Sequence, residues 1–106
     1  MSNVYTTGSW KPFPGEEDAF VEAWAAFADW ASEQPGAGVA RLARDLRDPE
    51  RFVSFMDWES IEAVRSWKGS PEFKERMSPV QKHIDQFTPT ELELVASCGS
   101  DTPVRP

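Results

Sequence analysis

The sequence of 106 residues predicts a single α+β domain with the element order strand, helix, strand, strand, helix, strand. Two patterns support this fold class. The side chains of Arg51–Trp58 divide into two largely apolar faces at every second residue, which is the two-residue period of a strand. Between positions 20 and 31 apolar residues instead recur every three or four positions, as they do in a helix that packs on a sheet. The order βαββαβ is that of the ferredoxin-like split βαβ fold, a four-stranded antiparallel sheet with its helices on one face.

The first half of the chain supplies a strand, a helix and a second strand. Val4–Trp10 is rich in β-forming residues, and the two prolines and the glycine of Lys11–Gly15 end that strand. Three acidic residues at positions 16–18 favour the start of a helix, because the helix dipole stabilises negative charge there. Pro35-Gly36 ends this helix, and Val39–Leu46 alternates as the second strand. The turn-like residues 47–50 then predict a hairpin between strands two and three.

The third strand, Arg51–Trp58, has largely apolar residues on both faces, so we expect a central strand that is covered on both sides. Two signals for a helix start follow it. Ser60 caps one helix, and Ser70 followed by Pro71 caps a second. One face of the strand carries Phe52, Ser54, Met56 and Trp58, and the other carries Val53, Phe55 and Asp57.

The last part of the chain combines a helical stripe with a final strand. Five apolar residues at helical spacing predict that helix continues through position 87, and Ser78-Pro79 predicts a break or kink within it. Thr90–Ser97 alternates as the fourth strand. We therefore assign residues 1–97 to the folded domain and residues 98–106 to a flexible tail. The five stripe residues are Phe73, Met77, Val80, Ile84 and Phe87.

Composition and charge exclude several classes of partner. The formal net charge of −7 argues against binding to nucleic acid or to an anionic membrane. No apolar run approaches the ~20 residues of a membrane span, and the first ten residues lack the basic and apolar regions of a signal peptide. Cys98 is the single cysteine, which excludes an internal disulfide. We therefore expect a cytoplasmic protein.

The fold class also predicts a partner subunit. Helices on one face of a four-stranded sheet leave the other face in need of cover. In a domain this short and aromatic, a second copy of the chain is the simplest cover. We therefore expect a homodimer in which sheet packs against sheet, with the C-terminal strand near the interface.

Large aromatic residues predict the wall of a small-molecule pocket where the third strand meets the following helix. Trp58 ends that strand, and Trp67 follows after about two helical turns, so both rings can converge over the sheet. Phe73 continues the same wall. Trp24 lies on the apolar stripe of the first helix, where core packing and ligand contact are both compatible with the pattern.

Residues that titrate near neutral pH or bind metals are few. His83 is the single histidine and the default proton acceptor, although it lies beside the apolar stripe rather than within it. One histidine and one cysteine that are far apart in the chain do not supply a metal site. No glycine-rich phosphate loop follows any strand. We therefore expect no metal, no nucleotide and no other bound cofactor.

One motif spans the end of the third strand and the two predicted helix starts that follow it. It runs from Trp58-Glu59-Ser60 through Glu62-Ala63 and Trp67 to Ser70-Pro71-Glu72-Phe73. At these residues the chain resembles the antibiotic biosynthesis monooxygenase (ABM) family. The resemblance covers roughly Val4–Ala96 and implies a dimeric α+β barrel. Members of this family include cofactor-free oxygenases of anthrone-type polyketides, haem-degrading oxygenases and quinol oxygenases, so the fold alone does not define the reaction.

Two branches of the family can be compared with this chain residue by residue. The anthrone oxygenases resemble it at Trp58, but they have an asparagine where this chain has Ser54 and a tyrosine where it has Val64. A serine can still donate a hydrogen bond to an enolate, whereas a valine cannot replace a phenol. The haem-degrading members resemble it at Trp67, but Met77 occupies the position of their haem-ligating histidine. A haem role is therefore disfavoured.

The resemblance and the residues together favour a cofactor-free monooxygenase that oxidises a small aromatic, polyketide-like phenol or enol with O₂. Such an enzyme needs a dry aromatic cavity and a hydrogen bond to the oxyanion. A non-catalytic dimeric barrel that binds an apolar ligand or a protein partner is the alternative. As catalytic residues we assign Trp58, Trp67 and Ser54, and as substrate-binding residues Thr7, Trp24, Phe27, Phe73, Met77 and His83.

Overall fold

The computed structural model describes residues 4–99 and confirms the predicted fold class. The second helical segment consists of two helices, so the element order is βαββααβ. No helix in this part of the chain is long and apolar enough to cross a membrane. Most of the expected tail, from residue 100 onwards, lies outside the described residues. In chain order the elements are β1 (Val4–Pro12), α1 (Glu17–Ala31), β2 (Ala37–Arg44), β3 (Phe52–Trp58), α2 (Ile61–Lys68), α3 (Pro71–Gln81) and β4 (Ile84–Glu93).

The four strands form one antiparallel sheet in the order β2-β3-β1-β4. β1 and β3 are therefore the central strands. Their pairing sets Trp10 opposite Phe52 and Gly8 opposite Ser54. Because side chains alternate along a strand, the even-numbered residues of both strands lie on one face, and this face carries the three helices.

The core lies between this sheet face and the helices and consists largely of aromatic rings. Phe20 of α1 packs against Trp10 and Phe52, with ring centroids 5.5 and 5.3 Å apart. Burying a side chain of this size contributes on the order of 1.5–3 kcal/mol. Ring packing of this kind therefore holds α1 on the two central strands. The largest fully buried side chains are those of Trp58, Phe20, Val64 and Val80.

Two serines cap α2 and α3, as the sequence predicts. Ser60 Oγ accepts a hydrogen bond from the backbone N–H of Ala63 at 3.2 Å, and Ser70 Oγ accepts one from Phe73 at 3.3 Å. The Ser70 hydroxyl also donates to the carbonyl oxygen of Trp67 at 2.8 Å. This serine thus ties the end of α2 to the start of α3 and fixes the turn between Trp67 and Phe73.

The predicted break near Ser78 is wrong, because α3 is continuous through Pro79, whereas the alternative of a kink stays a prediction. A proline within a helix removes one backbone hydrogen bond, to the carbonyl four residues earlier. Here that carbonyl belongs to Glu75, an exposed residue at which water can replace the missing donor. Pro79 also lies close to the last residue of the helix, Gln81, so few later hydrogen bonds depend on it.

The last strand begins earlier than its sequence pattern indicates. β4 spans Ile84–Glu93, whereas we expected Thr90–Ser97, and the predicted helical residues Ile84 and Phe87 lie on this strand. The cause is a β-bulge, since Lys11 pairs with Gln86 but the next residue, Pro12, pairs with Ile84. One additional residue in β4 lets Ile84 and Phe87, three positions apart, both pack against the core. A spacing of three is also that of a helix, so the bulge imitates a helical stripe.

The predicted hairpin between β2 and β3 is organised by Asp45. One carboxylate oxygen accepts hydrogen bonds from the backbone N–H groups of Arg47 at 2.8 Å and Asp48 at 3.2 Å. The other accepts one from the Arg51 guanidinium at 2.9 Å. The Arg47 backbone, followed by the Arg51 side chain, lowers the pKa of Asp45 because both favour its ionised form.

The other face of the sheet carries no helix within residues 4–99. Within this part of the chain, β3 is therefore covered on one face and not on both, as the sequence pattern had led us to expect. Apolar side chains lie open on this face. Phe55 of β3 is 39% exposed and Leu92 of β4 is 47% exposed. Large exposed apolar residues on a sheet favour association with another surface.

We expect this face to form the interface of a homodimer, so that Phe55→Lys weakens dimerisation by about tenfold or more. The substitution would place a charge on a central strand of a buried interface, where it has lost its water and gained no partner. Val21→Lys is the matched control, because Val21 is an exposed apolar residue of α1, in the helical layer. Sedimentation equilibrium measures both dissociation constants. A wild-type monomer at micromolar concentration would contradict the dimer itself.

Candidate functional site

A cavity of about 250 Å³ lies between the sheet and the three helices. The central strands contribute Gly8, Ser54 and Met56 to its floor. Clefts with apolar walls and few polar groups are typical binding sites for small organic molecules. The rings around this cavity belong to Trp10, Trp24, Phe27, Trp67, Phe73 and Phe87.

Seven of the nine residues assigned to a site from the sequence line this cavity, and Trp58 and His83 do not. Thr7 contributes to the wall, but it lies between Thr6 and Gly8, which face the helices. Strand alternation therefore directs the Thr7 side chain to the opposite sheet face. The seven lining residues are Thr7, Trp24, Phe27, Ser54, Trp67, Phe73 and Met77.

Trp58 lies beneath the cavity rather than on its wall. Its side chain is 0% exposed, and its indole N–H donates to Thr6 Oγ1 at 3.1 Å. The ring centroid of Trp67 lies 4.7 Å from that of Trp58. Trp58 therefore supports Trp67 from the side of the sheet.

Trp67 is the central ring of the wall. Its centroid lies 5.9 Å from that of Phe27 and 4.9 Å from that of Phe73, which meets it edge-on at 90°. Its Nε1 is the buried side-chain polar atom in residues 4–99 that has no hydrogen-bond partner. An unpaired buried donor of this kind costs about 1–3 kcal/mol, so a ligand acceptor that reached it would be favoured. Trp67 also borders a more polar depression beside Gln34 and Glu59.

Ser54 supplies a hydroxyl on the cavity floor. Its Oγ accepts a hydrogen bond from the indole N–H of Trp10 at 2.8 Å. Among the described residues, its own hydroxyl proton has no acceptor. The Ser54 hydroxyl can therefore donate to a ligand while Trp10 polarises it.

Gly8 makes this arrangement possible, and the sequence interpretation did not include it or Trp10. A Cβ atom at position 8 would lie 2.7 Å from Trp10 Nε1 and 2.9 Å from Ser54 Oγ. The same atom would lie 2.9 Å from the ring of Phe87, which stacks on Trp10 at 4.0 Å. A glycine inside a strand often marks a site where other groups approach the backbone closely. This signal in the sequence could have identified Gly8.

His83 lies in the turn between α3 and β4, away from the cavity wall. Its Nδ1 is 2.9 Å from Glu16 Oε1, and its backbone carbonyl accepts a hydrogen bond from Phe13 at 2.9 Å. The imidazole thus joins this turn to the start of α1. Proton transfer at the cavity by His83 has no geometric support.

Charged and metal-binding groups are scarce around the cavity. Among the described residues that line the cavity, Lys68 is the one with a charged side chain. No group of three or more His, Cys, Asp or Glu side chains suited to a metal ion occurs within residues 4–99. The site consequently offers hydrogen-bond donors and one cation, set in an aromatic surround.

This fold and cavity define a small ferredoxin-like domain with an apolar cavity between its sheet and its helices. The profile of the antibiotic biosynthesis monooxygenase family matches residues 4–77. The chain therefore belongs to this family. A comparison with curated proteins finds no match to the sequence.

Solved structures support the same fold. A candidate antibiotic biosynthesis monooxygenase from Bordetella bronchiseptica has a TM-score of 0.80 at 19% identity, over 91% of this chain and 100% of that one. A second candidate, from Chloroflexus aurantiacus, has a TM-score of 0.74 at 22% identity, over 92% and 98% of the two chains. An asparagine-to-alanine variant of SnoaB, a cofactor-independent oxygenase from Streptomyces nogalater, has a TM-score of 0.83 at 15% identity, over 94% and 100%. At these identities the comparisons establish the fold alone.

The two neighbouring indoles of Trp58 and Trp67 should respond differently to loss of the N–H group. We expect Trp58→Phe to reduce the free energy of unfolding by about 1–2 kcal/mol more than Trp67→Phe. Both changes remove similar ring volume, but only Trp58 loses a hydrogen bond, whereas Trp67 loses an unpaired donor. Urea unfolding of the two variants without ligand measures the difference. Equal losses would mean that the Trp67 indole has a partner in the protein in solution.

Proposed function

We propose that this chain is a cofactor-free monooxygenase that oxidises a small aromatic phenol or enol with O₂ inside the cavity. The observation that carries the proposal is an apolar, ring-lined cavity whose floor presents the hydroxyl of Ser54 with its proton unused. Membership of the monooxygenase family supports it, as does the shared fold with SnoaB, a cofactor-independent oxygenase.

In this reaction the substrate itself reduces O₂. An activated CH₂ group next to the phenol or enol loses a proton, and the resulting carbanion forms a C–O bond with oxygen. The peroxide then loses its O–O bond, so that CH₂ and O₂ become C=O and water. All four electrons come from the substrate carbon, and the protein has to stabilise the anion and exclude competing water.

Two donors suit the oxyanion of such a carbanion. The Ser54 hydroxyl accepts a hydrogen bond from Trp10, and its own proton, which has no acceptor among the described residues, is free to donate. The Trp67 indole N–H has no partner among the described residues, and a shift of its ring would bring it to a ligand acceptor. Hydrogen bonds that strengthen as negative charge develops lower the barrier more than they favour the neutral substrate.

The aromatic wall would orient the substrate ring and limit its size. A cavity of about 150 Å³ is known to accept benzene. The cavity here, at about 250 Å³, suits two fused rings or a third that projects from the mouth. Phe27, Trp67 and Phe73 meet at tilted or edge-on angles, so together they form a slot rather than a flat shelf.

The proton of the substrate has no carboxylate or imidazole to accept it on the part of the wall that the structure describes. We therefore infer that the donors lower the pKa of the bound substrate and that water at the mouth takes the proton. On this account the pH dependence of kcat/KM follows the ionisation of the substrate, and His83 is not required.

We expect Ser54→Ala to lower kcat by about 10- to 100-fold, because it removes one of the two oxyanion donors. His83→Gln is the matched control and should retain kcat within about twofold, since the imidazole lies outside the cavity wall. Oxygen uptake with a panel of bicyclic and tricyclic phenols, using purified protein without added metal or reductant, measures both. A larger loss in the histidine variant than in the serine variant would reverse the assignment.

The panel also tests the alternative function. Tight binding of aromatic phenols with no oxygen uptake by any of them would leave an apolar-ligand binding protein and reject the oxygenase.

Haem degradation, the activity of another branch that the family resemblance suggests, does not fit these residues. Met77 occupies the position of the ligand histidine and is buried in the cavity wall, 6% exposed. The cavity of about 250 Å³ is also too small for a macrocycle of four pyrrole rings.

We therefore expect no stoichiometric hemin complex that turns over with a reductant. Absorbance titration with hemin, followed by ascorbate and product analysis, tests this. Met77→His is an informative companion variant, because it restores the ligand type without enlarging the cavity, and it should not restore turnover. A Soret band in the wild type that decays to an open tetrapyrrole would contradict the exclusion.

A further inference from the structure

We propose that Lys68 selects aromatic substrates that carry a carboxylate, and that Glu91 holds the lysine ammonium at the cavity mouth until such a ligand displaces it. The proposal deepens the function given above by naming a substrate class, and it rests on the cavity being the substrate site.

The charge at the cavity has the opposite sign to the charge of the chain. The formal net charge is −7, yet Lys68 is the one charged residue among the described residues of the wall. At the ionic strength of a cell, distant acidic groups are screened over about 8 Å, so the nearest charge dominates the local potential. A ligand anion at the wall therefore meets the Lys68–Glu91 pair first, and Lys68 is the member that attracts it.

The ion pair of Lys68 lies across the edge of the cavity. Lys68 is the last residue of α2, and its Nζ is 3.0 Å from Glu91 Oε2 on β4. Pro89 precedes Glu91 by two residues on the same strand and faces the same side, and Pro89 lines the cavity. Both side chains are part-exposed, 30% for Lys68 and 40% for Glu91. The ammonium is thus held between the interior and the solvent.

Stability does not require a lysine at this position. Exposed ion pairs of this kind contribute little to folding. The favourable interaction of a cation with the end of α2 is also provided by Arg65, which lies in the same last turn and outside the cavity wall. The location beside the cavity therefore needs another explanation, and anion binding provides one.

A carboxylate is the ligand group that this pair accepts most easily. It offers Lys68 the same charge-assisted hydrogen bond that Glu91 provides, so the ammonium loses nothing in the exchange. The released Glu91 returns to water, to which it is already partly exposed. A neutral phenol or alcohol cannot compensate for breaking the pair. The ligand would then lie with its ring in the aromatic slot and its acid at the mouth.

The test compares two ligands of matched size, 2-naphthoate and 2-naphthalenemethanol, by calorimetric titration without oxygen at low salt. Wild-type protein should bind the naphthoate more tightly. Lys68→Met should lower naphthoate affinity by about three- to tenfold and leave the alcohol within about twofold. Glu91→Gln should raise naphthoate affinity, because it removes the competing carboxylate. Lys74→Met is the control, since Lys74 is an exposed lysine of α3 outside the wall.

Three results would overturn the proposal. The first is a wild type that binds the naphthoate no more tightly than the alcohol, or that binds neither. The second is an equal loss of naphthoate affinity in Lys68→Met and Lys74→Met, which would mean that the overall charge of the protein causes the preference. The third is unchanged or weaker naphthoate binding in Glu91→Gln.

Failure of this proposal is distinguishable from failure of the oxygenase assignment. The titrations involve no turnover, so a protein that selects naphthoate through Lys68 but never consumes oxygen would reject only the reaction. Urea midpoints of the variants close to that of the wild type would confirm that the substitutions leave the fold intact.

Discussion

The buried hydrogen bond of Trp58 is the constraint on which the arrangement of the site depends. Its indole donates to Thr6 across the two central strands, so the ring cannot turn without leaving a buried donor unpaired. Trp67 packs on that ring, and Phe27 and Phe73 pack on Trp67. Each ring takes its position from the one below it. The sheet therefore transmits its rigidity to the cavity wall through a residue that does not line the cavity.

The polar groups of the cavity are separated by depth. Ser54 lies on the central strand β3, and Lys68 lies at the end of α2 with its side chain part-exposed. Both are held by partners that leave capacity for a ligand: Trp10 donates to Ser54, and Glu91 pairs with Lys68. Such prior positioning reduces the entropy that a ligand must remove on binding. It also gives an elongated ligand with one polar group at each end a preferred direction.

Sequence patterns predicted which residues share a face of a strand better than they predicted which of those residues line the cavity. Alternation along β3 correctly set Ser54 and Trp58 on the same face, but periodicity does not distinguish a ring on a cavity wall from one beneath it. The pairing of Gly8 with Ser54 depends on strand register, which local patterns do not define. The predicted bounds of β4 were wrong for a related reason, because a bulge gives the apolar residues of a strand the spacing of a helix. His83 was considered as a proton acceptor because it is the single histidine, but its position away from the cavity wall does not support that role.

The joint between α2 and α3 has a consequence for how such a pocket can diversify. In one uninterrupted helix Trp67 and Phe73, six residues apart, would be rotated by about 240° and would face different directions. The two-residue connection Gly69-Ser70 instead brings their rings together, edge to face, at 4.9 Å. The shape of the binding slot is therefore encoded in a short connector outside the sheet. Evolution can lengthen, shorten or reorient that connector and alter which molecules are accepted, while the strand pairing that drives folding stays the same.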